Sequence, residues 1–530
     1  METYKQSIKE ESREKIWEHA IYSLTTNRSS NRSSNRILKE EYIRNLWNYI
    51  FYKSKYSQGY FEKYEININY LNSWCEFANN CYGYRSANEL RVVYLCGPEP
   101  ENDLEVLLKL GVRIENIWAV ENRKDIFNSA IENIRNKYPM LKIFNGTIDS
   151  FFELYPMQFD IIYLDFTTPI FSKKQSPFKT IHKIFDNQVL SEMGILITNY
   201  PMPEKTKEYV DFLSDFFFDQ RYIEGGVHGG IASDGSKLSW FGDGRCYYGW
   251  TRNDFNIKID ENFEGAYSSF CSLYPILYSN AISPAYRVVR RNNTYKKIFN
   301  SDSNIIENLL MELYKNELII EEGLLSEVGF FKRLEESKST LASYWFNYYS
   351  QKESGDLFNR VDALRFVTIL RMAFSTRKEK VLSESMRQAV MKAYEKMKEY
   401  ENKRLFCDVI FKDILSEIAL NQLGFPYHSQ MFNHKRFSYK AKTMKMFVDI
   451  FTFDRCRAFY DWIPFIEFYG ESLQSIERQM ILRCCVDAIG GKQLCFTPIP
   501  VYSSGVNVIG MFEAEWAKFV NSFPERKELE

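Results

Sequence analysis

The segment from Arg91 to Ile170 alternates short apolar runs with helical stretches, and a carboxylate closes three of those runs. Arg91-Val-Val-Tyr-Leu-Cys-Gly97 reads as a buried strand entering a glycine turn, and Ile117-Trp-Ala-Val-Glu121 as a second strand ending on Glu121. Leu141-Lys-Ile-Phe-Asn-Gly146 leads to Asp149, and Phe159-Asp-Ile-Ile-Tyr-Leu-Asp165 stops at Asp165 ahead of Phe-Thr-Thr-Pro169. Between these runs, Leu104, Leu107, Leu108 and Leu110 define a helix closed by Gly111, and Ile126, Phe127, Ala130, Ile131 and Ile134 share one face of the next. Strands alternating with helices predict an α/β fold with a doubly wound, mostly parallel sheet and right-handed crossovers. Ligands of such sheets lie beyond the carboxyl ends of the strands, so one crevice is expected to collect Gly97, Glu121, Asp149 and Asp165.

A chain of 530 residues exceeds one ordinary core, and three regions are expected. Residues 1–85 read as a helical N-terminal region with a flexible linker at 27–36, where an Asn-Arg-Ser-Ser unit repeats in tandem. Residues 86–290 hold the α/β pattern. It continues with a strand over Met193–Asn199, a helix from Lys205 to Phe218, and strands near 221–224 and 246–250. Eight of the 24 glycines fall between Gly225 and Gly249, in a loop that is either a lid over the crevice or a loose connection. Residues 300–530 read as a large, mainly helical C-terminal domain, with apolar residues at three- and four-residue spacing up to about 423.

No apolar run approaches the ~18 residues of a membrane helix, and 1–17 is charged throughout, so a cytoplasmic protein without membrane contact is expected. The ten cysteines lack paired metal-ligand spacing and sit mostly in apolar runs, as buried thiols do. His182 lies on an apolar helical face with Phe178, Ile181 and Phe185, the setting of a packed core histidine. With a net charge of −1, any nucleic-acid partner has to be held by a local patch.

The turn after the first strand reads Gly97-Pro-Glu-Pro-Glu-Asn-Asp103. Glu99, Glu101 and Asp103 repel phosphates, and the later glycines of a dinucleotide fingerprint are absent, which argues against NAD or FAD. An adenosine ligand with a sulfonium and an amino group tolerates such carboxylates. Over about residues 88–255 the chain resembles the Rossmann-like class I S-adenosylmethionine-dependent methyltransferases, through Leu95-Cys-Gly97, Glu121, Asp149 and Asp165-Phe-Thr-Thr-Pro169. The resemblance implies S-adenosylmethionine as cofactor, held by Cys96, Gly97, Glu121, Asn122 and Asp149. Gly97 would meet the methionine part, Glu121 the ribose hydroxyls and Asp149 the adenine amine. Asp165, Thr167, Thr168 and Pro169 would face the methyl group. The last motif is similar to those of enzymes that methylate exocyclic amines of nucleic-acid bases. The chain departs from the family in having Leu95 and Glu99 where an acid and a second glycine are usual, and in lacking proline directly after Asp165. The alternative is a catalytically inactive member of that fold, serving as an interaction subunit of a larger complex.

His434 to Phe447 holds five Lys or Arg residues and no acid, interleaved with Phe437, Tyr439 and Phe447. Cations track phosphates and aromatic faces stack bases, so Lys435, Arg436, Tyr439, Lys440 and Lys442 are the candidate nucleic-acid contacts, for DNA or RNA. Asp449 and Asp454 follow at once, and a structural basic surface paired with them is the competing reading. Protein partners are expected to use the C-terminal helical region.

Overall fold

The computed structural model describes residues 7–28, 83–172, 177–220, 252–290, 298–300, 334–375, 381–388, 424–430, 433–455, 493–499, 503–509 and 523–529, with isolated positions between them. The expected linker at 27–36, the strands near 221–224 and 246–250 and the glycine-rich loop lie largely or wholly outside these residues. Among the described residues no helix is long and apolar enough to cross a membrane.

Five parallel strands form the centre: β1 (Val92–Leu95), β2 (Ile117–Glu121), β3 (Lys142–Asn145), β4 (Phe159–Asp165) and β5 (Leu190–Pro201). Their spatial order is β3-β2-β1-β4-β5, so the winding reverses between β1 and β4. The crossovers carry α2 (Glu101–Lys109), α3 (Lys124–Ile134), α4 (Ile148–Leu154) and α5 (Pro177–Asp186), and α6 (Lys207–Gln220) follows β5. Strand β4 has six buried residues before Asp165, and β5 is buried at all but one position, the continuous apolar pattern of strands covered on both faces.

Beyond β5 the sheet turns antiparallel. Strand β6 (His428–Ser429), β7 (Lys435–Ala441) and β8 (Met444–Asp454) come from the expected C-terminal region. β8 runs against β5 from Met193↔Asp454 to Pro201↔Met446, and β7 folds back on β8. With β6 beside β8 and a short edge strand, β11 (Lys527–Glu528), parallel to β7, the sheet reaches nine strands. A separate hairpin joins β9 (Gln493–Ile499) to β10 (Ser503–Ile509). The expected boundary near residue 300 therefore does not separate the sheet from a helical remainder. The chain leaves after β5, builds helices, and returns to complete the same sheet.

The helices α7 (Arg252–Glu261), α8 (Phe263–Leu277) and α9 (Ser283–Arg290) form that excursion with α10 (Thr340–Ser350) and α11 (Arg360–Ser375). α8 packs on β8, and α10 packs on α6 and α11. As the sequence predicts, His182 on α5 is buried. Its ring stacks 3.7 Å from Tyr278, and its Nδ1 lies 3.1 Å from the Tyr348 hydroxyl of α10.

A buried ion cluster fastens the second half. Asp449 of β8 is fully buried and lies 2.6 Å from Arg526, 3.3 Å from Arg436 and 2.9 Å from Nε2 of His434. Burial alone would raise its pKa. Arg526, the His434 hydrogen bond and Arg436 outweigh that and hold the carboxyl well below the usual range. Arg526 also donates to the carbonyls of Phe437 and Val448, so the C-terminal arm is hydrogen-bonded across β7 and β8. Replacing Arg526 by Met strands a buried carboxylate and is expected to cost about 3–5 kcal/mol, read as a fall in the urea midpoint at pH 7. Because the carboxyl pKa is depressed on folding, the difference between the two proteins should shrink as the pH falls below about 4. An unchanged midpoint contradicts the fastening role.

Candidate functional site

Strand register decides which side chains meet. Tyr94 pairs with Ala119 on β2 and Tyr163 on β4, and Asp165 pairs with Asn199 on β5. Side chains alternate along a strand while paired residues share a face. Two residues beyond the Tyr94 level, Cys96, Glu121 and Asp165 thus stand side by side on one face at the carboxyl edge, with Asn199 next in line. At about 4.8 Å per strand, Glu121 and Asp165 are about 10 Å apart across β1. Cys96 and Asp165 flank the point where the winding reverses, the place where open α/β sheets bind ligands.

The first helix, α1 (Ser7–Leu24), covers this face. Trp17 is fully buried, edge-on to Tyr94 (6.3 Å) and Tyr163 (5.4 Å), and its indole N–H donates to Asp103 at 2.8 Å. Arg13 donates to the same carboxylate at 3.1 Å. Asp103 is therefore occupied by α1, and desolvation still leaves its pKa raised.

The cofactor candidates divide. Gly97 adopts φ +62°, a left-handed conformation that glycine enters without strain, and open space lies where a side chain would project. Cys96 is buried, and desolvation, reinforced by the charges of Glu121 and Asp103, pushes its thiol up, so it remains a neutral lining group. Glu121 is half-buried. Its Oε1 accepts the Arg123 N–H at 2.8 Å, and Oε2 has no partner among the described residues. Asn122 is exposed beside it. Asp149 does not share this row. It lies in the first turn of α4 and accepts from Thr180 of α5 at 2.8 Å, tying two helices together, while Thr147 caps α4 through the Ser150 N–H.

Asp165 is exposed at the end of β4, with the Asn199 amide beside it. Desolvation and then the charge of Asp103 push its pKa up to about 6, against the attraction of Lys9 and Arg13 and the Asn199 hydrogen bond. Thr167 is exposed on the following loop, and Thr168 and Pro169 are half-buried. Phe166 stacks on Tyr200 at 5.6 Å, fixing where that loop departs.

The basic stretch also divides. Arg436 is buried against Asp449, the structural reading of that residue. Lys435 lies two positions below the level of Asp165. It borders a groove of about 570 Å³ lined also by Lys15, His19, Tyr22, Phe437 and Pro524. Tyr439 is buried, with its hydroxyl 2.8 Å from the Asn199 amide. Lys440 and Lys442 are exposed three and five positions beyond the Asp165 level, on a hairpin that overhangs the carboxyl edge. Sequence reasoning placed Asn199 in a strand and overlooked it as a site residue. The signal was present: Asn199 closes an apolar run as Glu121 and Asp165 do.

No family model matches the chain, and no curated protein matches it.

Proposed function

We propose that the chain binds S-adenosylmethionine at the carboxyl edge of its sheet and transfers the methyl group to an amine of a nucleic-acid base. The observation that carries this reading is the row formed by Cys96, Glu121 and Asp165 on one face at the winding reversal, next to the unencumbered turn at Gly97. Carboxylates on that row favour a cationic nucleoside and disfavour a pyrophosphate. Further support comes from the sheet. Its central order β3-β2-β1-β4-β5 follows the 3-2-1-4-5-6 order of open α/β sheets that bind nucleosides at the winding reversal.

Gly97 would let the backbone approach the methionine portion, and the open oxygen of Glu121 would accept from the ribose. The cofactor, when bound, supplies a methyl group on a positive sulfur that leaves as a neutral thioether. Asp165 then serves the nucleophile. It would accept an N–H of the amine and so orient the nitrogen lone pair towards the methyl carbon. It takes up the proton that the positive nitrogen must lose and passes it to water. A carboxyl pushed up to about 6 is suited to exchanging that proton near neutral pH.

Calorimetry provides the first test. S-adenosylmethionine should bind with measurable heat, and Glu121→Ala should weaken it about 10-fold or more, the effect of losing charge-assisted hydrogen bonds. No binding at millimolar ligand overturns the cofactor reading and leaves the fold as an interaction scaffold.

The second test concerns the substrate class. Charge reversal of Lys440 and Lys442 should weaken binding of a single-stranded oligonucleotide and lower the salt slope by about one for each phosphate no longer neutralised. The same change at Lys435, below the crevice level, should have a smaller effect. Equal effects, or none, contradict docking across the overhanging hairpin.

A further inference from the structure

Asn199 is fully buried, and its amide is committed in a particular way. Nδ2 donates to Oδ1 of Asp165 at 2.8 Å and to the Tyr439 hydroxyl at 2.8 Å. An ionised carboxylate can only accept, so the amide must face Asp165 with its NH₂ group, and both hydrogens are used. Oδ1 of Asn199 has no hydrogen-bond partner among the described residues. A buried carbonyl left unsatisfied in this way is unfavourable, and Asn199 keeps this orientation nonetheless. Tyr439 is buried and its phenol is raised by desolvation and then by the charge of Asp165, so it stays protonated. These three residues come from β4, β5 and β7, and the strand pairing alone brings them together.

We propose that Asn199 is a positioning residue of the candidate site: with Tyr439 behind it, its amide grips one oxygen of Asp165 and turns the other towards the incoming nucleophile. This rests on the functional reading above and assigns a role to two residues that the reading does not itself require. Among the described residues Asn199 is the only hydrogen-bond partner of Asp165, and Oδ2 of Asp165 has none. One oxygen held and one open gives the carboxylate a single direction of attack on an N–H. A carboxylate free to rotate would spread its acceptor lone pairs over many orientations, and catalytic proton acceptors depend on such geometry. The group also has to remain ionised beside Asp103. Lys9 and Arg13 of α1 help from one side and the Asn199 amide from the other, while the Tyr163 and Tyr439 phenols stay neutral.

The test is a titration in the free protein, which needs no substrate. Carboxyl NMR of ¹³C-aspartate-labelled chain, with the Asp165 signal assigned by its loss in Asp165→Asn, gives the midpoint of Asp165 directly. Asn199→Ala removes a donor to the ionised form and should raise that midpoint by about one unit. Tyr439→Phe, which keeps the ring and is the gentler change, should raise it by a smaller amount by loosening the amide. The pH profile of S-adenosylmethionine affinity should move with the same midpoint, which a purely structural role would not produce. A midpoint unchanged in Asn199→Ala, or in Tyr439→Phe if the former does not fold, overturns the proposal. Shifted midpoints in a protein that does not bind S-adenosylmethionine uphold the grip on Asp165 and overturn the functional reading instead.

Discussion

Strand β5 is the element on which the rest of the molecule depends. It pairs in parallel with β4 on one edge and antiparallel with β8 on the other, joining segments more than two hundred residues apart in the chain. Its register places Asn199 between Asp165 and Val448, so the same alignment that completes the sheet also completes the crevice. A slip of one residue would send Asn199 to the opposite face, away from Asp165 and Tyr439, because side chains alternate with a period of two. Because nearly the whole strand is buried, such a slip would disturb close packing along its length and be costly.

The two faces of the sheet hold their polar groups for different reasons. Under α8, Asp449, Arg436, His434 and Arg526 satisfy one another with Ser268 and Ser272, and together they hold the returning segment in place. Further out, Arg360 of α11 reaches Asp186 of α5 at 2.9 Å and the Tyr278 hydroxyl at 2.9 Å, which links the helical excursion to the sheet. Beneath α1 the balance differs. Asp103 is satisfied by Trp17 and Arg13, whereas Asp165 and Glu121 each keep an oxygen without a protein partner among the described residues. Closed clusters of ions stabilise and orient; carboxylates with an open oxygen at a sheet edge are what a ligand can use.

Much of the parallel half was legible in the sequence. The run Ile117–Glu121 is apolar up to its closing carboxylate, Phe159–Asp165 is so from Ile161 to Leu164, and their separating helices carry clear one-sided stripes, so period and length agree. For Asp149 the sequence left a ligand contact and a helix contact open, and its hydrogen bond to Thr180, 31 residues on, had no local signal. The strands β7 and β8 were hidden for a physical reason. Arg436, Asp449, Thr452 and Asp454 occupy buried positions, so the hydrophobic pattern that marks a strand is interrupted by polar residues, and the partners of Asp449, such as Ser272 and Arg526, lie far away in the chain. Pairing across such distances leaves no local trace. The same holds for Trp17, whose apolar helix face was evident but whose hydrogen bond to Asp103 was not.

A crystal structure of the protein soaked with S-adenosylmethionine tests the central claim most directly. The nucleoside is expected across the end of β1, with ribose hydroxyls at Glu121 and the sulfur on the side of Asp165. Ligand density elsewhere, or side chains filling the space between Gly97 and Asp165, would contradict it.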